Sequence, residues 1–203
     1  MGKCSMCKVT GIILAGGKSQ RMRKEKISLK IGEAYLIEVI AGKIKDFFEE
    51  IILIITNNSF KYQFPGIRTV TDVVPRKGPL GGIYTGLLVS QSKYNFICAC
   101  DMPLLNLNLL KFMVSQINEN DAVIPIVKGF TEPLHSVYSK NCLPAIKYQL
   151  QIGDLKIKNF FPRIKCKYIP EDKIKKYDPC LLSFFNLNTP QALELAKNLY
   201  NTM

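Results

Sequence analysis

The stretch GIILAGGKSQRMRKEK at residues 11–26 combines the residue types that phosphate chemistry requires. An apolar run ends in two glycines, Gly16 and Gly17, and a dense group of cations follows. Glycine lets backbone N–H groups approach an anion closely, and lysine and arginine bring formal charge to the same place. The pattern is therefore typical of a loop that binds phosphate groups. The structural alternative is a strand that simply ends in a turn.

Two common phosphate-binding motifs do not fit this stretch. A kinase-type P-loop, G-x-x-x-x-G-K-[ST], would need glycine where Ile12 stands. The dinucleotide fingerprint G-x-G-x-x-G also fails, because the next glycine after Gly17 is Gly32. What remains is a strand end followed by a long basic loop. We expect residues 15–17 to hold the phosphates of a triphosphate, and Arg21 and Lys26 to neutralise the groups that leave as pyrophosphate.

Polar side chains also follow other apolar runs. Asp101 follows NFICAC, where a carboxylate at a strand end suits Mg²⁺, a hard ion that prefers oxygen ligands. The alternative for Asp101 is a helix cap. Asp72 ends the short strand GIRTVTD and could form a turn. Asn57 and Asn58 follow EIILIIT, and an amide at a strand end can read a base edge because it both donates and accepts.

The segment GPLGG opens a predicted helix, and its N–H groups and dipole could hold a second anion, the phosphate of an acceptor. The alternative is close packing of small residues. The candidate acceptor-binding residues are Gly78, Pro79, Leu80, Gly81 and Gly82.

Three further groups have plain structural alternatives. Asn186 and Asn188 could add oxygen ligands at the metal, although Asn188 equally suits helix entry. His135, the one histidine, lies in a predicted strand, so a packed or exposed strand position is favoured over catalysis. Cys4 and Cys7 form a lone CxxC without a matching second pair, so reduced thiols in a mobile tail over residues 1–7 are favoured over zinc.

The composition is that of one globular domain with an anionic partner. The chain has 203 residues, 47% hydrophobic and 22% charged, with a net charge of +12. Nucleic acid is disfavoured as the partner, because no basic and aromatic platform is present. No apolar run approaches a membrane span and no signal-peptide pattern is seen, so we expect a cytoplasmic protein.

Apolar, strand-like runs alternate with amphipathic helical stretches along the chain. Strands are predicted at 8–14, 50–56, 66–72, 95–100, 121–127, 133–139 and 183–188, and helices at 34–48, 78–91, 107–117 and 141–150, with a last helix after Thr189. The expected fold is α/β: a three-layer sandwich with a mostly parallel central sheet, Rossmann-like, in one domain over residues 1–203. Residues 152–182 have no clear periodicity.

The motifs together resemble a known family. LAGG-x-S-x-R-M-x-x-x-K is similar to the signature of nucleotidyltransferases with a glycosyltransferase-A-like fold, and GPLGG, ACDMPLL, TEPLHSVYS and FFNLNTPQALE resemble successive motifs of the molybdenum cofactor guanylyltransferase (MobA) family. The chain departs from that pattern at Arg23 and Glu25, where the family usually has Gly and Asp.

The resemblance implies GTP and molybdopterin or molybdenum cofactor as partners, with Mg²⁺ as cofactor. It also implies that Leu14 and Asp72 contact the nucleotide, that an Asn, preferably Asn58, reads guanine, and that Asp101 is the magnesium residue. The resemblance further implies transient contact with cofactor-synthesis or recipient enzymes. It implies no binding to nucleic acid or to a membrane. Two alternatives stay open: a cytidylyltransferase that uses CTP, and a non-catalytic carrier of the cofactor.

Overall fold

Six-residue apolar runs form the central strands of the protein. The structure is a computed structural model, and it describes residues 8–16, 18–19, 24–25, 28–56 and 63–201. The strands are β1 (Val9–Leu14), β2 (Lys18–Ser19), β3 (Lys24–Glu25), β4 (Lys30–Ile31), β5 (Ala34–Tyr35), β6 (Glu50–Ile55), β7 (Arg68–Thr71), β8 (Tyr94–Ala99), β9 (Ala122–Val127), β10 (Phe130–Thr131), β11 (His135–Ser139) and β12 (Cys166–Ile169). The helices are α1 (Leu36–Ile44), α2 (Gly78–Val89), α3 (Leu107–Ser115), α4 (Leu143–Gln151), α5 (Glu171–Ile174) and α6 (Pro190–Asn201).

The main sheet has the order β10-β9-β11-β8-β1-β6-β7, and β12 pairs with β9. β8, β1, β6 and β7 are mutually parallel, whereas β11 runs antiparallel to both β8 and β9. Every residue of β1 is buried, as expected for a strand covered on both faces. The predicted mostly parallel α/β architecture is therefore confirmed.

Helices cover both faces of this sheet. On one face α1 and α3 pack through Ile37, Ile40 and Leu109 against alternate strand residues such as Ile13. On the other face α2 and α4 pack against the side chains of opposite parity, Ile12 and Leu14 among them. This alternation produces the three layers. No helix among the described residues is long and apolar enough to cross a membrane.

Two regions differ from the sequence prediction. Residues 183–188 do not form a strand: Leu182–Phe184 is a short 3-10 helix, because the Asp178 carboxylate accepts the N–H groups of Leu182 at 3.1 Å and Ser183 at 2.8 Å. The aperiodic segment 152–182 contains the 3-10 helix Ile157–Arg163, β12 and α5. β12 is a strand because it pairs with β9 in parallel. The local sequence does not reveal this pairing, since β9 lies about 40 residues earlier in the chain.

Candidate active site

The carboxyl ends of the parallel strands meet along one edge of the sheet. Backbone hydrogen bonds continue the ladder beyond the strand ends, from Ala15 N–H to Ile54 O (2.9 Å), from Asp72 N–H to Ile55 O (2.8 Å) and from Cys100 N–H to Leu14 O (3.0 Å). The loops that leave β1, β6, β7 and β8 therefore start at one level. Ligands of open parallel sheets bind at such an edge.

A cleft of about 460 Å³ opens at this edge between the strand ends and the start of α2. Its size suits a small molecule. Its walls are formed by Leu14, Gly16, Ile54, Ile55, Thr56, Asp72, Arg76, Gly78, Pro79, Gly82, Ala99 and Leu134. A Cβ on Gly16 would lie 2.8 Å from Thr56 Cγ2, so a larger residue would force the Thr56 side chain to move where the exits of β1 and β6 approach each other. Six of these lining residues were predicted from the sequence to belong to a site.

Asp72 has a structural function as well as a place in the cleft wall. It is buried, and its Oδ1 accepts the Thr85 hydroxyl at 2.5 Å and the Val74 N–H at 3.0 Å. Thr85 Oγ1 in turn accepts the Val73 N–H at 3.1 Å. These bonds join the end of β7 to α2. The turn that the sequence allowed for Asp72 is confirmed, and the same side chain lines the cleft.

The GPLGG segment divides into a cleft-lining part and a packed part. Gly78, Pro79 and Gly82 line the cleft, and no described side chain caps the N-terminus of α2. Leu80 is fully buried in the core between helix and sheet, and Gly81 lies against Asp72 Oδ2, which a Cβ would approach to 3.1 Å. The packing alternative thus applies to Leu80 and Gly81.

Asp101 lies just beyond β8, next to the segment that carries the two candidate asparagines. Its side chain is buried, and its backbone carbonyl accepts the Leu187 N–H at 2.9 Å. Asn186 and Asn188 flank Leu187 in the sequence, so this bond joins the segment that carries them to Asp101. Asn186 is half-buried and Asn188 is exposed.

The donor set around Asp101 suits a hard cation. The carboxylate of Asp101 and the amides on either side of Leu187 in the sequence offer oxygen ligands, which Mg²⁺ prefers. The nearby Cys98 faces the core, and burial raises the pKa of its thiol, with the charges of Cys100 and Asp101 adding to the shift. Cys98 therefore stays protonated and does not compete as a soft thiolate ligand. Among the described residues, no group of three His, Cys, Asp or Glu side chains is placed to hold a metal.

His135 is a core residue and not part of the cleft. It is fully buried in β11, with its ring 5.1 Å from that of Phe96 and 4.7 Å from that of Phe184. Burial lowers the pKa of His135 to about 3, so the ring is neutral at physiological pH. The expectation of a packed strand residue is confirmed.

Sequence reasoning missed the other six lining residues of the cleft, and it also missed Thr85, which holds Asp72. The six are Ile54, Ile55, Thr56, Arg76, Ala99 and Leu134. Arg76 has a left-handed backbone, with φ +66°. Arg76 and Lys77 form a pair of cations directly before GPLGG, in a loop that leaves a parallel strand, and this pair was a usable signal for Arg76. Thr85 and Leu134 carried no local signal.

Several predicted residues lie outside the described part of the chain. They are Cys4, Cys7, Gly17, Arg21, Lys26, Asn57 and Asn58. The predictions for them, including the mobile tail over residues 1–7, stay predictions. The departures at Arg23 and Glu25 also concern this loop, of which only the backbone pairing of β2 with β3 is described.

A mostly parallel sheet covered on both faces, with a cleft at its carboxyl edge, defines the class of open-sheet α/β proteins that bind ligands beyond the strand ends. The family model described as the MobA-like NTP transferase domain matches residues 11–165. The chain belongs to the MobA-like NTP transferase family.

Individual relatives agree with this assignment. The chain is 37% identical over 194 residues to a protein of Natranaerobius thermophilus named "Probable molybdenum cofactor guanylyltransferase", covering 93% of this chain and 95% of that protein. It is 34% identical over 191 residues to the molybdenum cofactor guanylyltransferase of Desulfosudis oleivorans, covering 93% and 94%. Among solved structures, it is similar to molybdopterin-guanine dinucleotide biosynthesis protein A of Archaeoglobus fulgidus, with a TM-score of 0.82 and 25% identity, covering 96% and 100%.

Proposed function

We propose that this protein transfers GMP from GTP to the terminal phosphate of molybdopterin or the molybdenum cofactor, with Mg²⁺ as cofactor. The observation that carries the proposal is the similarity to guanylyltransferases over nearly the whole length of the chain. The cleft at the carboxyl edge of the sheet supports it, because it is large enough for a nucleotide and lies at the exit of the glycine-containing strand.

The reaction is a substitution at the α-phosphorus of GTP. An oxygen of the acceptor phosphate donates an electron pair to the α-phosphorus, and the bond from that phosphorus to the oxygen bridging to the β-phosphate breaks. Pyrophosphate leaves with that electron pair, and the product is a guanine dinucleotide form of the cofactor. A phosphate monoester is largely ionised near pH 7, so the attacking oxygen needs no general base. The burial of His135 away from the cleft is consistent with this.

Catalysis then depends on alignment and charge neutralisation. In this proposal residues 15–17 bind the phosphates, and Leu14 and Asp72 contact the nucleotide from the cleft wall. Arg21 and Lys26 neutralise the transferring and leaving groups. The segment 78–82 receives the acceptor phosphate, and Asn58 reads the base.

Asp101, with Asn188, would hold the magnesium ion. Bound Mg²⁺ would supply positive charge to the phosphate oxygens as pyrophosphate leaves. Arg76 adds a further cation to the cleft wall and is proposed to contact a phosphate there.

Calorimetric titration with GTP, CTP, ATP and UTP, with and without Mg²⁺, tests this function. The expected result is Mg²⁺-dependent binding of GTP alone. Preference for CTP would keep the chemistry and change the product to that of a cytidylyltransferase. If no nucleotide bound under any condition, the enzyme proposal would be wrong and a cofactor carrier would replace it.

The basic loop is tested separately by Arg21→Ala and Lys26→Ala. Each should lower turnover about 10²–10³-fold, because each removes a preorganised charge from the transition state. The fold should be retained, as judged by circular dichroism. Either variant keeping about half of the wild-type activity would remove that residue from the phosphate site.

A further inference from the structure

A second cleft adjoins the first at the beginning of α2. It has a volume of about 580 Å³ and is lined by Pro79, Phe130, Thr131, Pro133, Lys156 and Lys158, among others. Pro79 belongs to both clefts, and Leu134 in the wall of the first follows Pro133 in the wall of the second. A molecule in the second cleft would therefore reach the nucleotide cleft past the first turn of α2.

One wall of the second cleft presents an aromatic ring on a well-anchored hairpin. The Phe130 residue is 75% exposed, an unusual state for phenylalanine. It follows the turn Lys128-Gly129 between β9 and β10, where both residues have positive φ. The Lys128 N–H donates to Glu171 Oε2 at 2.6 Å, and Glu171 also pairs with Lys175. The backbone of the hairpin is thus anchored next to Phe130, and the surface of the ring stays open.

Another part of the lining is basic. Lys156 and Lys158 are exposed, and neither forms an ion pair with any residue that the structure describes. Their backbone is ordered by Asp154, which accepts the Lys156 N–H at 3.1 Å and the Asn159 amide at 2.7 Å. Gln149 Nε2 donates to the Lys156 carbonyl at 2.5 Å. These bonds hold the backbone that carries two cations into the lining of the same cleft as Phe130.

We propose that the second cleft binds the acceptor of the reaction, a phosphorylated pterin, with its planar fused ring stacked on Phe130. This inference rests on the proposed function. A flat heteroaromatic ring is complementary to an exposed phenyl face. Lys156 and Lys158 match the negative charge of the acceptor. The two clefts adjoin at the shared residue Pro79, so an acceptor in the second cleft can extend its phosphate into the nucleotide cleft. Phe130 is a specificity-determining residue in this arrangement.

The inference is tested by binding of a fluorescent probe, 6-hydroxymethylpterin monophosphate, followed by fluorescence anisotropy. Wild-type protein should bind it, and both Phe130→Ala and the double variant Lys156→Ala/Lys158→Ala should weaken binding about tenfold or more, which is on the order of 1.4 kcal/mol. Tyr168→Ala and Lys165→Ala/Lys167→Ala are the matched controls, since these exposed residues do not line the cleft, and they should bind as wild type does. Absence of binding by wild type, or unchanged binding by the cleft variants, would overturn the inference.

Steady-state transfer with the authentic cofactor separates this inference from the proposed function. Phe130→Ala should raise KM for the acceptor about tenfold and leave KM for GTP unchanged. If wild type bound the pterin probe but transferred no GMP, the proposed function would fail while the acceptor cleft stood. If transfer were active and Phe130→Ala had a normal acceptor KM, the acceptor cleft would fail alone. A defect seen only with a recipient protein would also overturn it, in favour of a protein-docking surface.

Discussion

At the scale of single residues, the two acidic side chains at the sheet edge are held by different means. The Asp72 carboxylate is tied to α2 through Thr85, whereas the Asp101 main chain is tied to Leu187, far along the sequence. Asp72 therefore sets the position of a helix, and Asp101 lies where the C-terminal segment crosses the sheet. This difference makes Asp101 the better choice for a substitution that tests chemistry without disturbing a helix.

The substitution Asp101→Asn keeps the size of the side chain and removes its charge. We expect turnover to fall about 10²–10³-fold, as for loss of other preorganised charge contacts, and the Mg²⁺-dependent part of GTP binding to weaken. Calorimetry with and without Mg²⁺ measures the second effect. Asp172→Asn, at an exposed site on α5, is the control and should behave as wild type. Equal Mg²⁺ dependence in wild type and Asp101→Asn would remove Asp101 from the metal site.

His135 makes a prediction about pH. Its pKa of about 3 in the folded chain lies below the ordinary value near 6.5, because the ring is fully buried and neither nitrogen has a hydrogen-bond partner among the described residues. The unfolded chain therefore binds the proton first, and stability should fall as pH falls from about 6.5 towards 3.

Between pH 7 and pH 5, the unfolding free energy of wild type should fall by about 2 kcal/mol more than that of His135→Leu, because the variant has no histidine to protonate. Urea denaturation of both proteins at the two pH values measures the difference. Stability curves that run parallel from pH 7 to pH 5 would show that His135 takes up its proton in the folded protein as readily as in the unfolded chain, and the lowered pKa would be wrong.

At the scale of elements, α2 is the part that most directly shapes the site. It packs on β1 so closely that a Cβ on Gly86 would lie 2.8 Å from Ile12 Cγ2, and Ile12 is fully buried. Its first turn lines both clefts. The separation between helix and sheet thus determines the width of the cleft mouth.

Gly86→Ala should therefore destabilise the protein by about 1–3 kcal/mol, since a fully buried isoleucine has little room to move. Gly42→Ala is the matched control: Gly42 lies in α1, and a Cβ there would meet no described atom within 4 Å, so alanine should stabilise its helix by up to about 1 kcal/mol. Thermal unfolding compares the two. A Gly86→Ala protein as stable as Gly42→Ala would mean that α2 can move away from the sheet.

At the scale of the whole molecule, the net charge of +12 acts on every anionic ligand. Salt screens this field, so the association rate of a fluorescent GTP analogue should fall about threefold or more between about 50 mM and 500 mM NaCl. The corresponding labelled guanosine, which carries no phosphate, is the control and should bind at a salt-independent rate. Stopped-flow fluorescence measures both, and equal salt dependence of the two would exclude electrostatic steering of the triphosphate.

Much of the site could be predicted because its candidate groups lie at the ends of strand-like runs, most of which are long and apolar. Leu14, Gly16, Asp72 and Asp101 sit at strand exits, and buried parallel strands are recognisable as continuous apolar segments. The division of GPLGG into lining and packed residues was not predictable. The division depends on which face of α2 meets the sheet. The sequence does not indicate that face, because the helix is apolar on several sides.

The sequence by itself determined the layered α/β architecture, the positions of the strand exits and the residue types placed there, because these follow from local periodicity and from what each side chain can do chemically. Only the tertiary structure decided which distant segments meet. It brought Leu187 to Asp101 and gave part of residues 183–188 a 3-10 helix in place of a strand. It also placed the hairpin of Phe130 and the start of α2 around one cleft. Such contacts join segments far apart in the chain, so their free energy appears only when the whole core is packed.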